Sequence, residues 1–507
     1  MNKGKICVSV YAETAGEFIE NIKRAEKSGD VVELRFDFLA ESELENALEK
    51  TCDLKSSKNL LLTFRPEEQG GKRVLTKDER ERFWCSGYDF CTNWADAEID
   101  MVETVSHWLF EKIICSYHDF SSTPENLSEI YKNLKATNAD VLKIAVQAGD
   151  ITDSLAVWKL LEKAKSEDTQ IIPIAMGEAG KWTRILGLAH GAFMTYAALD
   201  AGRETASGQL TAKELSETYR VKELDENTEI YGIVGNPVAH SISPEMHNAA
   251  FKFHNRNAVY IPFEAKNLDA FIKKFVRANT REINLNFKGF SVTIPHKQAI
   301  FEFLDEVDET AKTIGAVNTV KIENGRLFGY NTDAEGFIEP LKTIYGDLSK
   351  AKVAVLGAGG AARACVYALK QENASITIFA RDLQKGEALA NEFQIAFEEL
   401  ANPENQKQKT VFRDFDILVN ATPLGTKGEF ETKTPAAADQ LEGLNLIYDL
   451  VYNPFRTRLL EEADKANVPK IGGLAMLVAQ GAAQQKIWTG LDAPVSEMSR
   501  AALEKLK

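Results

Sequence analysis

The chain is poor in the features that would assign it to a membrane, a nucleic acid or a metal. Six cysteines stand in 507 residues (Cys7, Cys52, Cys85, Cys91, Cys115, Cys365), and no two form C-x-x-C. That scatter predicts reduced thiols, not a disulfide framework or a zinc site. The seven histidines lack ligand spacing, so no metal is expected. No apolar run reaches the ~20 residues that span a bilayer. Lys and Arg number 60 against 75 Asp and Glu, and the net charge of −15 argues against a general nucleic-acid binder. It leaves room for a local basic pocket. No low-complexity run occurs. A strand-like ICVSV starts at Ile6, which leaves no space for a signal or transit peptide. The expectation is a cytoplasmic protein with small-molecule partners, no nucleic acid and no membrane.

What is present is globular: 44% hydrophobic and 27% charged residues, long enough for two to four domains. The strongest signal is Val353–Val366, VAVLGAGGAARACV. Val353–Leu356 is a short apolar run, as in a buried parallel strand. Gly357, Gly359 and Ala362 then spell G-x-G-x-x-A before a helix-forming stretch. Gly357 permits the tight turn, Gly359 lets backbone approach a pyrophosphate, and Ala362 lets helix pack on strand. A second strand, Ser375–Ala380, arrives at βαβ spacing. A plain glycine turn is the alternative, and the strand–helix–strand order favours a dinucleotide cradle at Gly357, Ala358, Gly359, Gly360 and Ala361. After that second strand come Arg381 and, four residues on, Lys385, cations suited to a ribose 2′-phosphate and hence to NADP. Asp382 reads either as a helix N-cap or as a ligand for a 2′-hydroxyl.

The first ~200 residues carry eight short apolar runs with helical stretches between them: Lys5–Val10, Val31–Arg35, Asn59–Phe64, Trp94–Ile99, Lys112–Tyr117, Asp140–Val146, Gln170–Ala175 and Ala192–Tyr196. This is the rhythm of a TIM (β/α)8 barrel, whose chemistry sits at the C-terminal strand ends. Those ends carry Ser9, Glu33 with Arg35, Arg65, Glu98, His118, Lys143 and Met176, a largely polar set. Lys143 lies among apolar residues in VLKIAV, where desolvation would free its amine to attack a carbonyl. Taken alone it reads as a snorkelling strand-end lysine, and His118 alone as a hydrogen-bonded structural histidine. Together they read as nucleophile and acid/base, with Arg35, Arg65 and Arg184 for a carboxylate and hydroxyls.

The motifs VELRFDFL, LTFRPEEQGG, CSYHDF, VLKIAV, the segment Met176–Arg184 and ETASGQ resemble type I 3-dehydroquinate dehydratase over residues ~5–215. The resemblance implies a Schiff base on Lys143 and general acid/base work by His118. It places Ser9, Glu33, Arg35, Arg65, Arg184, Thr205 and Gln209 at the substrate. Where that family usually has a glutamate beside the histidine, this chain has Gln69, next to Glu68. A neutral amide can orient His118 but cannot stabilise its cation.

Thr211–Tyr219 reads as a last helix, and KELDENTE (Lys222–Glu229) as a short linker. From there EIYGIVGNPVAHSISPEMHNAAF reads strand, turn, helix. Ser243 is an N-cap or, with Ser241, a hydroxyl ligand. GFSVTIPHK, GAVNTV and GYNTDAEGF follow, with Lys297 and Asp333 as a catalytic pair or a plain ion pair. Joined by VNATPLG, YDLVY and GGLAMLVAQGA, these segments resemble shikimate dehydrogenase over ~229–507. The resemblance implies NADPH as cofactor and substrate contacts from Ser241, Ser243, Thr293, Asn318, Tyr452 and Gln480. Proton transfer falls to Lys297 and Asp333, and Thr422 and Gly473 join the cofactor site. Ser291 stands where many members have asparagine.

The expected architecture is α/β, with a barrel over 1–221 and an α/β substrate domain over 229–335 completed by 474–507. A Rossmann NADP domain takes 336–473. Two resemblances in one chain imply a bifunctional enzyme whose first product is the second substrate. A monomer fits the short linker. Quinate as a side substrate stays open, as does a silent regulator like the fungal quinate-pathway repressors. Retention of Lys143, His118, Lys297 and Asp333 speaks against the regulator.

Overall fold

The computed structural model describes residues 2–86, 90–105, 109–400 and 412–507. The chain forms two compact units, one of Met1–Ala239 with Asn257–Phe287 and one of His240–Arg256 with Lys288–Lys507.

The first unit is built on β1 (Lys5–Val10), β2 (Val31–Arg35), β3 (Asn59–Thr63), β4 (Trp94–Glu98), β5 (Lys112–Asp119), β6 (Val141–Gln147), β7 (Ile171–Met176) and β8 (Met194–Ala198). They pair in the order β7-β6-β5-β4-β3-β2-β1-β8, with a short β9 (Leu210–Thr211) beyond β8. The Phe193 amide donates to Ile171 O, which ties β8 back to β7. Strands covered on both faces read as continuous apolar runs, which is why the sequence located all eight. Helices follow most strands. Ala15–Ala25, for example, buries Phe18, Ile19 and Ile22, and Thr14 caps it by accepting from the Glu17 amide.

Every second residue points into the barrel. Cys7, Val31, Leu61, Trp94, Ile114, Val141 and Ile172 fill its lower part. Two residues further along the first six strands the inward positions turn polar, at Ser9, Glu33, Thr63, Asp96, Ser116 and Lys143, all buried, whereas β7 keeps the apolar Ile174. Lys143 is thus the third of seven residues in β6, inside the barrel, and not at the strand end as the sequence suggested.

Three further expectations need correction. Among the described residues, 99–105 and 109–111 after β4 form turns and no helix. The helix expected at Thr211–Tyr219 is present, but Glu214–Thr218 winds as a π-helix and not as an α-helix. Cys52 and Cys91 are joined in a disulfide, with Cα atoms 5.1 Å apart, whereas Cys7, Cys85, Cys115 and Cys365 are free thiols. The partners are 39 residues apart in sequence, and only the fold brings helix Leu44–Asp53 beside the segment before β4.

β10 (Glu229–Gly235) and β11 (Ala258–Glu264) pair in parallel and group with the barrel. Phe275 meets Trp182 edge-on, Lys159 pairs with Glu282, and Arg220 Nη2 donates to Ala258 O. The stretch expected to be a linker is pinned as well: Lys222 pairs with Asp30, and Thr228 Oγ1 donates to Asn257 Oδ1.

The second unit holds two sheets. The smaller has the order β12-β14-β15-β13, from β12 (Gly289–Val292), β13 (Glu306–Val307), β14 (Thr319–Glu323) and β15 (Arg326–Tyr330). Helices Ser243–Phe253, Gly473–Thr489 and Val495–Leu506 share a core of Met246, Ala250, Val478, Met498 and Ala502. The larger sheet is parallel, in the order β18-β17-β16-β19-β20-β21, from β16 (Lys352–Leu356), β17 (Ser375–Ala380), β18 (Ala396–Glu399), β19 (Ile417–Asn420), β20 (Leu446–Asp449) and β21 (Lys470–Ile471). This is the doubly wound dinucleotide-binding order, with its crevice where the order reverses between β16 and β19. No helix of the described residues is long and apolar enough to cross a membrane.

Two candidate active sites

The upper barrel collects nearly every residue singled out there. One cavity is lined by Glu33, Arg35, Arg65, His118, Lys143, Arg184, Tyr196, Thr205 and Gln209, with Phe120 and Met176. Lys143 Nζ lies 2.8 Å from Asp96 Oδ2, 3.8 Å from Glu33 Oε1 and 4.0 Å from the centre of the Tyr196 ring. Burial lowers the Lys143 pKa, the Arg65 charge lowers it further, and Asp96 and Glu33 offset part of that. Burial would raise the Asp96 carboxyl, but Arg65 and Lys143 hold it far below its ordinary value.

Arg65 is the hub. It meets Asp96 at 2.6 Å through Nη2, Glu98 at 3.2 Å through Nε, and His118 Nε2 at 3.0 Å through Nη1. A guanidinium only donates, so Nε2 must accept and the imidazole proton sits on Nδ1. That Nδ1 has no hydrogen-bond partner among the described residues. Burial first, then Arg65 and Lys143, push the His118 pKa well down, so the ring is a neutral base. Gln69 orients His118 through its backbone, accepting from the His118 amide at 3.0 Å, and not through the ring.

The other assigned residues divide by partner. Arg35 is forked onto Asp37 at 3.0 and 2.7 Å and also reaches Gly70 O. Ser9 and Thr63 both donate to Glu33. Gln209 Oε1 accepts from the Thr205 amide and hydroxyl. Arg184 differs: it is buried, its Nε has no partner among the described residues, and burial lowers its pKa to about 10. A buried guanidinium without a counter-ion is a socket for an anion. The sequence reading missed Asp96 and Tyr196. Both lie two residues beyond a core residue of their strand, Trp94 and Met194, and that parity is the signal that finds them.

In the second unit Lys297 Nζ lies 2.5 Å from Asp333 Oδ2, and Asn318 Nδ2 donates to Asp333 Oδ1 at 2.8 Å. Asn318 also meets Thr332 and Gln480. Gly336 makes this possible, because a Cβ there would sit 2.5 Å from that of Gln480 and force the two helices apart. Thr332 was missed by the sequence reading. Ser241, Ser243 and Thr293 lie on segments leading into the cluster, outside this hydrogen-bonded network. Ser243 does not cap its helix; its amide donates to Ser241 Oγ. Ser291 Oγ donates to Gln484 Oε1 and so braces the helix that carries Gln480.

Beside this cluster is a cavity of about 1110 Å³, lined by Gly357, Ala358, Gly359, Gly360, Ala361, Arg381, Asp382, Lys385, Thr422 and Tyr452. Gly357 has φ +110°, in the region that favours glycine, while a Cβ on Gly359 or Gly360 would meet open space. Helix Gly360–Gln371 has no side-chain N-cap, which leaves its first amides for a phosphate. Asp382 caps its own helix by accepting from the Lys385 amide, which answers the question left open by the sequence. Arg381 and Lys385 are exposed on the wall. Gly473 is not in this lining; it packs beneath Leu450 and Val451, where a Cβ would clash.

Four family models match the chain. They are type I 3-dehydroquinase over residues 6–226, the shikimate dehydrogenase substrate binding domain over 233–320, shikimate / quinate 5-dehydrogenase over 339–434, and the shikimate 5′-dehydrogenase C-terminal domain over 473–503. A chloroplastic bifunctional 3-dehydroquinate dehydratase/shikimate dehydrogenase of Arabidopsis thaliana is 34% identical over 519 residues, covering 97% of this chain and 83% of its own. A shikimate dehydrogenase (NADP(+)) of Methanopyrus kandleri is 42% identical and covers 56% of this chain and 98% of its own. A crystal structure of a shikimate dehydrogenase in complex with NADP+ has 38% identity and a TM-score of 0.51, covering 56% of this chain and 98% of its own.

Proposed function

This chain belongs to the bifunctional 3-dehydroquinate dehydratase/shikimate dehydrogenase family, and from that premise we propose how its residues divide the two reactions. The enzyme dehydrates 3-dehydroquinate to 3-dehydroshikimate and reduces that product to shikimate with NADPH. We assign the barrel, 1–221, to dehydration. Residues 229–335 with 474–507 bind the substrate of the second step, and 336–473 the dinucleotide.

In the barrel, Arg184 takes the substrate carboxylate, and Arg35, Glu33, Ser9, Thr205 and Gln209 orient its hydroxyls. Lys143 Nζ, whose ammonium form burial disfavours, attacks the ketone carbon as the free amine, and water leaves to give the imine. The imine withdraws electrons from the adjacent carbon. Once Nε2 is released from Arg65, His118 takes the proton from that carbon and returns it to the departing hydroxyl, so a second water leaves. Hydrolysis of the imine restores Lys143.

In the second unit, Ser241, Ser243, Thr293, Asn318, Gln480 and Tyr452 hold the product of the first step. Lys297 delivers a proton to the ketone oxygen as that oxygen becomes a hydroxyl, and Asp333 positions Lys297. NADPH supplies the hydride when bound. The open glycine cradle, Thr422 and the exposed Arg381 and Lys385 fit its pyrophosphate and 2′-phosphate. We further propose a cytoplasmic monomer, a reading that rests on the acidic composition and on two activities fused in one chain.

The observation that carries the dehydratase reading is the buried Lys143 amine sharing one cavity with a neutral His118. Giving the purified chain 3-dehydroquinate and NADPH together tests the whole assignment. Nicotinamide absorbance should fall after a short lag while 3-dehydroshikimate builds up. Oxidation of NADPH with added 3-dehydroshikimate but not with 3-dehydroquinate would sink the barrel assignment alone.

A further inference from the structure

Behind the wall of the dinucleotide cavity lies a buried carboxylate with no role in either reaction. Asp449 ends β20, directly across the ladder from Asn420 at the end of β19, and both are fully buried. Asp449 Oδ1 accepts from Asn420 Nδ2 at 2.9 Å and from the Val451 amide at 3.1 Å, and Oδ2 accepts from Thr457 Oγ1. Asn420 faces the other way as well: its Oδ1 accepts from the Thr422 amide at 3.0 Å and the Thr422 hydroxyl at 2.7 Å. A backbone amide can only donate, so Thr422 fixes the orientation of the Asn420 amide and leaves its NH2 for Asp449. Ala421, Thr422, Pro423, Leu450 and Val451 line the cavity, whereas Asn420 and Asp449 stand one layer behind.

We infer that Asp449 is a positioning residue for the dinucleotide, acting through Asn420 on Thr422 and directly on the Val451 amide. The inference rests on the proposed cofactor site and adds a group that does not touch the ligand. A carboxylate is the only side chain that accepts at both oxygens, and three donors converge here. Its partners on β19, on the turn after β20 and at the start of helix Arg458–Lys465 are all neutral. Burial raises the Asp449 carboxyl to about 6, against the pull of the Thr457, Val451 and Asn420 bonds. The carboxylate is therefore intact above that pH. Below it the added proton occupies an acceptor site, the three donors no longer all have partners, and both cavity loops lose their brace.

The test is a binding titration of the whole chain from about pH 5 to about pH 8 with NADP+ and, separately, NAD+. Both ligands are needed because a phosphate monoester itself titrates near pH 6. Wild type should bind either dinucleotide about tenfold more weakly at the acid end, the loss of roughly one charge-assisted hydrogen bond. Asp449→Asn should bind about tenfold more weakly at the alkaline end, with a flat NAD+ profile and kcat at saturating cofactor within about twofold. Thr457→Val removes a bond that lowers the Asp449 pKa, so the NAD+ midpoint should move up. If Asp449→Asn does not fold, the wild-type and Thr457→Val profiles decide. A pH-independent NAD+ affinity in wild type, or a bend that survives Asp449→Asn, overturns this inference alone. Failure of wild type to bind either dinucleotide overturns the cofactor site and this inference with it.

Discussion

In the barrel, the Lys143 side chain is 5% exposed and its closest carboxylate, Asp96, is wholly buried; in the second unit the Lys297 side chain is 24% exposed and Asp333 10%. The two pairs are almost equally close, 2.8 and 2.5 Å, so distance does not separate them. Environment does. A lysine that must attack a carbonyl has to give up its proton, and burial together with the Arg65 charge disfavours the ammonium. A lysine that hands a proton to a ketone oxygen has to keep it until that moment, and the Lys297 amine beside Asp333 is partly open to water. Around Lys143 charged groups interlock: Asp96 and Glu33 face the amine, and Arg65 joins Asp96 to Glu98. Around Lys297 the supporting groups are amides and hydroxyls: Asn318, Thr332 and Gln480. Identical side chains can therefore be nucleophile or acid according to what desolvates them.

The largest effect expected is at Lys143. Lys143→Ala should lower dehydration by at least about a thousandfold, because no other group supplies a nucleophile. It should leave shikimate oxidation by the same chain within about twofold, which separates loss of chemistry from loss of fold. Borohydride with 3-dehydroquinate should add mass to the peptide holding Lys143. A label on another lysine would move the whole comparison to the wrong residue.

Next comes Lys297→Ala. If that lysine acts mainly in the transition state, kcat for shikimate oxidation should fall by about 10²–10⁴-fold with KM changed far less. Dehydration should be untouched. A change confined to KM would make Lys297 a binding residue and remove one side of the comparison.

A smaller loss belongs to the cofactor wall. Arg381→Ser should weaken NADP+ binding by about tenfold to a hundredfold and barely alter NAD+, the worth of one charge-assisted hydrogen bond of roughly 1.5–3 kcal/mol. Asp382 is engaged as the cap of its helix, so it does not compete for the ribose. A wild-type kcat/KM higher with NAD than with NADP would reverse that reading.

How much of this was legible in the sequence follows from how local each feature is. Eight barrel strands and the glycine cradle were readable because a parallel strand buried on both faces is a continuous apolar run, and a phosphate turn is a contiguous motif. Lys143 was found for its apolar neighbours, yet its depth was misjudged, because only the strand's full length, Val141–Gln147, shows that it is an interior residue. Asp96 and Tyr196 required inward parity to be applied on every strand, not only at the ends. The Cys52–Cys91 bond and the Asn420–Asp449 pair are contacts between distant segments, and no local pattern encodes them. The grouping of β10 and β11 with the barrel depends on side chains such as Phe275 meeting Trp182, which a polar run at Lys222–Glu229 could not foretell.

The finest adjustment is at Gln69, where the barrel's reliance on burial can be set against charge. The Gln69 carbonyl oxygen already accepts from the His118 amide, so Gln69→Glu keeps that bond and adds a negative charge beside the imidazole. In wild type, burial, Arg65 and Lys143 press the His118 pKa down against the pull of Asp96, and Nδ1 has no hydrogen-bond partner among the described residues. A carboxylate nearby favours the cation and raises that pKa. The base in dehydration is the neutral ring, so a raised pKa keeps His118 protonated to higher pH, and the acid limb of kcat/KM must move up. We expect a shift of about one pH unit, at the low end for an opposite charge at this range, with the plateau rate within about threefold. Lys143 is pushed the same way, since its amine must also be neutral to attack, so the two effects add in sign. An acid limb that stays in place or moves down would mean that the charge at position 69 does not reach the ring, and that burial with Arg65 alone sets the protonation of this site.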